Sequence, residues 1–198
     1  MNSGIITILT FLVFFALTWC ISQTIKCCSE HFIVKRGTSL TIKDVFSDGG
    51  YPSTHSCTCV EVYIISLFYL IPALNKTSDM FYVVIALIIF ESAWCFTTLR
   101  DAVGVRLSVQ KNAEVLEKTI DSITSLHHLD TSDLKKEIKI KNGHYPLEVF
   151  GGVILGIICS FIYIGAIKGS FIISVISFLT LVIYIILSFV ILKKRKNN

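Results

Sequence analysis

Long apolar runs separated by short polar connections dominate this chain, and the runs set its architecture. Five stretches are long and apolar enough to cross a bilayer: Gly4 to Ile25, Thr54 to Leu74, Met80 to Leu99, Val149 to Ile167 and Ser170 to Leu192. A helical span needs roughly 20 mostly apolar residues. The first stretch has no basic start and no small-residue cleavage site, so it reads as a retained span rather than a removed leader. Only Lys168 and Gly169 separate the last two, which predicts a tight helical hairpin. Between the third and fourth spans the period changes. Val109, Ala113, Leu116, Ile120 and Ile123 recur at three- and four-residue steps. That spacing predicts an amphipathic helix lying against the bundle or the lipid headgroups. Asp130 to Asp133 then predicts a turn and cap before a short basic helix, Leu134 to Lys141, stopped by Asn142-Gly143. The expected fold class is all-α: one integral membrane helical bundle over residues 1–198, with five transmembrane helices and an amphipathic cytoplasmic helical segment.

Composition agrees with this reading. The chain of 198 residues is 53% hydrophobic and 16% charged, outside the soluble range. Charge adds orientation. Sixteen of the eighteen lysines and arginines fall in three regions: Lys26 to Ser53, Arg100 to Glu148, and Lys193 to Lys196. Five spans put these regions on one side, and the positive-inside tendency makes that side cytoplasmic. The net charge of +4 therefore reflects topology, and no motif for reading nucleic-acid bases accompanies it. The expected localisation is a multi-pass protein of the plasma membrane or an endomembrane.

The same topology gathers the chemically capable residues. Gly49-Gly50-Tyr51-Pro52-Ser53-Thr54-His55-Ser56 precedes the second span. Arg100-Asp101-Ala102-Val103-Gly104-Val105-Arg106 closes the third, and Gly143-His144-Tyr145-Pro146-Leu147-Glu148 precedes the fourth. All three mouths, and the Lys26 exit of the first span, lie on the cytoplasmic face. Asp101 opposes the helix dipole where it stands, which favours a functional reading. Glu61 and Glu91 lie within spans, where carboxyls are costly, and Glu61 is at a depth from which it can face the site. His127-His128 reads as a solvated turn. Cys27-Cys28 and Cys57-x-Cys59 lack the partner spacing of a zinc site, so the seven cysteines read as small apolar fillers. Asn75-Lys76-Thr77 is a glycosylation sequon on the outer side, in a short loop close to the membrane.

These motifs resemble those of a known family. His144-Tyr145-Pro146-Leu147-Glu148-Val149 with Gly151-Gly152 resembles the third signature of type-2 phosphatidic acid phosphatases, and Pro52-Ser53-Thr54-His55 resembles the second. The nearest resemblance is to the divergent branch of that family, related to acid phosphatases and vanadium haloperoxidases. That branch carries Gly-Gly-x-Pro-Ser-x-His-Ser, Asp-Ala-x-Gly-Val-Arg and Gly-His-x-Pro-x-Glu-Val in the same order. The chain departs from the wider family at Ile138, where arginine is usual, at Glu148, where aspartate is usual, and at Thr54, where glycine is usual. Val109-Gln110-Lys111 follows the Asp-Ala-x-Gly-Val-Arg run where the branch usually keeps a glycine, and no proline follows Lys35-Arg36.

The resemblance implies phosphomonoester hydrolysis through a phosphohistidine, with membrane lipids around the protein and a phosphorylated lipid as substrate. A neutral imidazole attacks phosphorus while a carboxylate on its other nitrogen fixes the tautomer. His144 and Glu148, four apart at a helix start, lie on one face. A second histidine, His55, would protonate the departing alkoxide. Cations Lys26, Arg106, Lys139 and Lys141, with free N–H groups at helix starts, would hold the phosphate oxygens. Gly50, Ser53 and Asp101 complete the expected binding set, Gly50 by permitting close backbone approach. The scheme calls for no metal and no cofactor. Two alternatives stand beside it: a non-catalytic membrane protein that binds or moves phosphorylated headgroups, and an assembly subunit whose basic loop is a partner surface. Homo-oligomerisation is left open.

Overall fold

The fold is taken from a computed structural model, which describes residues 3–29, 31, 50–74, 80–127 and 144–197. Six helices appear in this order: α1 (Ser3–Ser29), α2 (Thr54–Leu70), α3 (Phe81–Val103), α4 (Val105–His127), α5 (Pro146–Lys168) and α6 (Phe171–Asn197). A short 3₁₀ turn, Ile71–Ala73, continues α2. The described residues contain five helices long and apolar enough to span a membrane, and the all-α bundle stands. The expected turn at Asp130 to Asp133, the helix Leu134 to Lys141 and the sequon at Asn75 lie outside the described residues.

Helix ends follow local rules. Ser53 caps α2 from an extended conformation, its hydroxyl accepting from the Ser56 N–H as N-cap serines do. Pro146 occupies the first turn of α5, where its missing N–H costs nothing. Gly169, at φ 62°, ends α5 and opens the hairpin to α6. Several helices run past the apolar boundaries, because backbone hydrogen bonding does not stop where the apolar run does. Helix α1 extends through Lys26 to Ser29, and α3 takes Arg100 and Asp101 into its last turn.

Helix α5 is the centre of the bundle, packed most extensively on α2 and next on α6. The α2–α5 contact is close because it is made of glycine. A Cβ on Gly152 would sit 2.3 Å from the Ser53 carbonyl oxygen, and one on Gly156 would sit 2.4 Å from that of Cys57. A Cβ on Gly151 would meet the Tyr51 ring at 2.4 Å. Gly152 and Gly156 form a small-xxx-small pair, the pattern that lets membrane helices approach backbone to backbone. The seam ends in a direct backbone hydrogen bond, Ser53 N–H to the Glu148 carbonyl, at 2.9 Å.

Polar side chains hold the remaining helices, as befits an interior where lipid offers no hydrophobic contrast. Helix α1 is tied to α2 by Thr18 Oγ1 donating to Glu61 Oε1 at 2.6 Å and by Ser22 Oγ donating to Thr54 Oγ1 at 3.0 Å. Glu61 is fully buried and points at α1. Helix α6 is tied to α5 by Tyr184 Oη donating to the Gly151 carbonyl at 2.9 Å. Tyr69 and Tyr163 share a hydroxyl contact of 2.8 Å. The outer faces of α1, α3 and α6 carry exposed Ile, Leu, Val and Phe, the surface expected where hydrocarbon is the solvent. Helix α4 leaves α3 at Gly104, and its Val109, Leu116 and Ile123 are exposed. Ala113 and Ile120 of the same stripe are half-buried.

Filling the seam should separate its helices. Gly152→Ala is expected to lower stability by about 1–3 kcal/mol, the usual cost of overpacking. Ala166→Val, on the exposed side of the same helix, is expected to leave it within experimental error. Thermal unfolding of the two variants in detergent, against the parent, measures the difference.

Candidate functional site

The polar mouths of α2, α3 and α5 meet at one end of the bundle. Gly50 adopts φ 89°, a left-handed conformation that favours glycine, and turns the chain towards Tyr51. The Tyr51 hydroxyl reaches Ser188 Oγ at 3.3 Å, and its carbonyl lies 2.9 Å from Ser29 Oγ at the end of α1. The same Ser29 hydroxyl lies 2.8 Å from the Lys26 carbonyl. The entry to α2 is thus anchored to α1 and α6 before the first catalytic candidate appears.

His144 is buried and sits just ahead of α5. Its Nδ1 lies 3.2 Å from Glu148 Oε2. The same oxygen accepts the Tyr145 N–H at 3.1 Å. In return the Glu148 N–H donates to the Tyr145 carbonyl at 2.8 Å, a reciprocal arrangement that fixes the first turn of the helix. Glu148 therefore caps α5 and orients the His144 ring with one oxygen. With Nδ1–H donating to the carboxylate, the Nε2 lone pair is the one left for chemistry. The His144 N–H donates to the Ala102 carbonyl at 3.4 Å, which ties the loop to the last turn of α3, next to Asp101.

His55 stands in the first turn of α2 and is exposed. Its ring centroid is 6.3 Å from that of His144, with the planes at 58°. The two histidines and Glu148 thus form one cluster. Lys26 is buried at the end of α1, and Asp101 is half-buried in the last turn of α3. Ser53 is fully buried, and its hydroxyl is engaged by Ser56, so what it offers the cluster is the placement of α2. Arg106 lies in the first turn of α4, with its side chain outside the description; Lys139, Lys141 and Ile138 fall outside the described residues altogether. Among the described residues no group of three or more histidine, cysteine, aspartate or glutamate side chains is placed to hold a metal ion.

Sequence reasoning missed the supports of this cluster. Gly156 belongs to the seam that sets α5 against α2, and the spacing Gly152-x-x-x-Gly156 was the signal for it. Tyr51 stands in the motif ahead of α2, and its ring fills the space beside Gly151.

Fold and cluster together define a multi-pass membrane protein carrying a carboxylate-oriented histidine beside a second histidine at one end of its helical bundle. Family comparison supplies the lineage: residues 9–159 match the Divergent PAP2 family, and the chain belongs to it. Comparison with curated proteins and with solved structures returns no match.

The cluster makes a spectroscopic prediction. In ¹⁵N-histidine-labelled protein at a pH where the ring is neutral, His144 should show a protonated Nδ1 and an unprotonated Nε2. Glu148→Leu should abolish that preference. A wild-type ring protonated at Nε2 would contradict the assigned tautomer.

Proposed function

We propose that this protein is a membrane lipid-phosphate phosphatase acting through a phosphohistidine, with its site at the cytoplasmic surface. The observation that carries the reading is the cluster itself: His144 held by Glu148 at 3.2 Å, with the His55 ring 6.3 Å away. Nucleophilic attack wants the reacting atoms roughly 3–3.5 Å apart. Proton donation wants roughly 2.6–3.2 Å between heavy atoms. A ring separation of 6.3 Å is on the scale that one phosphoryl group between the two rings would bridge.

The reaction then runs in two balanced steps. His144 Nε2 attacks phosphorus, the bond from phosphorus to the ester oxygen breaks, and protonated His55 gives its proton to the departing alkoxide. The products of this step are the free lipid alcohol and a phosphohistidine. Water then attacks that phosphorus, His55 takes the water's proton, and the nitrogen–phosphorus bond breaks to release inorganic phosphate. Glu148 stays ionised and stabilises the positive ring as it forms. Lys26, Arg106 and Lys141 are the cations proposed to neutralise the phosphate, with Gly50, Ser53 and Asp101 shaping its surroundings. The substrate is a phosphomonoester on an apolar tail, such as phosphatidate, a polyprenyl phosphate or a sphingoid phosphate.

A second reading is a protein that binds or moves phosphorylated headgroups without turnover. Two observations favour it: Ile138 stands where the wider family keeps arginine, and Glu148 has a full structural role as a cap.

Phosphate release from a panel of lipid phosphates separates the two. The phosphatase reading expects turnover by the wild type, none by His144→Ala, and in Glu148→Gln intact binding with a loss of rate on the order of 10⁴-fold, since the wrong tautomer would dominate. Arg106→Ala should raise KM and lower kcat together. Wild-type-like rates in His144→Ala, or no release from any lipid phosphate, would move the assignment to the binding protein.

Orientation has its own test. The basic asymmetry supports a cytoplasmic site. Single cysteines at Asp48, Asn142 and Asn75, with accessible native cysteines removed, are expected to react with an impermeant thiol reagent on intact cells only at position 75. Labelling at 48 or 142 as ready as at 75 would overturn the proposed topology.

A further inference from the structure

A cleft of about 220 Å³ runs between α2 and α3, lined by Cys59, Val62, Tyr63 and Glu91, with Phe90 and Trp94 at its edge. The cleft is almost wholly apolar in its lining, and Phe90 and Trp94 are 63% and 65% exposed. It is larger than the roughly 150 Å³ apolar cavity that takes up a benzene molecule. Both helices are among those long and apolar enough to cross a membrane, so in a bilayer the cleft would open onto hydrocarbon.

Its position relates it to the histidines. On α2, Cys59 and Val62 follow His55 by four and seven residues, which places all three on one face. On α3, Trp94 precedes Asp101 by seven residues, on the face that ends at the site. A helix rises 1.5 Å per residue, so the cleft begins about 6 Å below His55 and reaches about 12 Å below it at Tyr63. Cys59 of α2 and Cys95 of α3 both line the cleft, one from each of its walls. Glu91 marks the cleft further. One of its carboxyl oxygens, Oε2, is buried with no hydrogen-bond partner among the described residues. A carboxyl at this depth is costly and characteristically lines a functional cavity.

We propose that this cleft seats the hydrocarbon chain of a single-headed lipid phosphate whose phosphate lies between His55 and His144, the substrate entering sideways from the bilayer between α2 and α3. The proposal rests on reading the histidine cluster as a phosphate site. Because bilayer and cleft are equally apolar, no hydrophobic gain selects the chain. Selection comes from shape, and from the headgroup that holds the chain above. A second cleft of about 270 Å³ between α5 and α6, lined by Ile157, Phe161 and Ile176 among others, lacks any such stripe leading to the histidines. It is the internal control.

The test uses the full chain in phosphatidylcholine vesicles and a non-hydrolysable probe, hexadecyl phosphonate with a diazirine midway along the chain. Irradiation and peptide mapping should place the label on the segments 59–63 and 90–95, and excess unlabelled hexadecyl phosphonate, but not hexadecanol, should remove it. Val62→Trp should reduce this labelling by about tenfold, the scale of an overpacked contact, while Ile176→Trp should not. Label spread equally over both clefts, or label that hexadecanol removes as well, would overturn the proposal even in a protein that hydrolyses hexadecyl phosphate. Headgroup-dependent label in the α2–α3 cleft of a protein that releases no phosphate would sustain the cleft and reject the hydrolytic reading alone. Should Val62→Trp fail to fold, the wild-type label decides.

Discussion

The close approach of α2 and α5 is the constraint on which the rest of the structure depends. Two helices normally sit 8–10 Å apart because side chains hold them there. Here Gly151, Gly152 and Gly156 offer no side chain, and the backbone of α5 meets the Ser53 and Cys57 carbonyls directly. Packing this tight gains dispersion contacts that lipid cannot match, which is the main attraction left to helices in a membrane. The Ser53 N–H then bonds the Glu148 carbonyl at 2.9 Å, so the start of α2 is pinned to the start of α5.

From that joint the histidine pair follows. His55 is two residues past Ser53, and His144 is four residues before Glu148. Each is fixed to its helix start by capping: Ser53 through Ser56, and Glu148 through Tyr145. Joining the two caps therefore brings the two rings to 6.3 Å with little flexible chain between them. Glu148 carries four bonds in this arrangement, two at its carboxylate, one at its carbonyl and one from its N–H. A substitution there disturbs helix start, ring orientation and helix joint together, so a loss of rate alone is weak evidence for its role. The conservative change to glutamine keeps most of the capping and isolates the charge.

Much of this was legible in the sequence. The five spans announce themselves, because a bilayer demands about 20 apolar residues in a row and nothing else in the chain supplies them. The histidine motifs were legible because each stands at a polar boundary beside proline and near glycine, where a helix must begin. The supporting shell was harder to read. Thr18 to Glu61, Tyr184 to the Gly151 carbonyl and Tyr51 to Ser188 join residues far apart in sequence, and no local spacing encodes such pairs. Glu61 illustrates the difference. Its depth suggested that it faces the site, but helical phase turns it to α1, where Thr18 meets it. Helices α1, α3, α5 and α6 outrun their apolar stretches for a related reason: hydropathy marks where lipid ends, whereas hydrogen bonding decides where a helix ends.

Nε2 of His144, held at the glycine seam, is the proposed nucleophile. The most direct measurement is to mix the purified protein with a ³²P-labelled lipid phosphate, quench within the first turnovers under alkaline conditions, and map the label by mass spectrometry. The account predicts an acid-labile, alkali-stable phosphoryl group on the peptide containing His144, absent when that residue is alanine. Turnover with no label on His144, or label on another side chain, would contradict it.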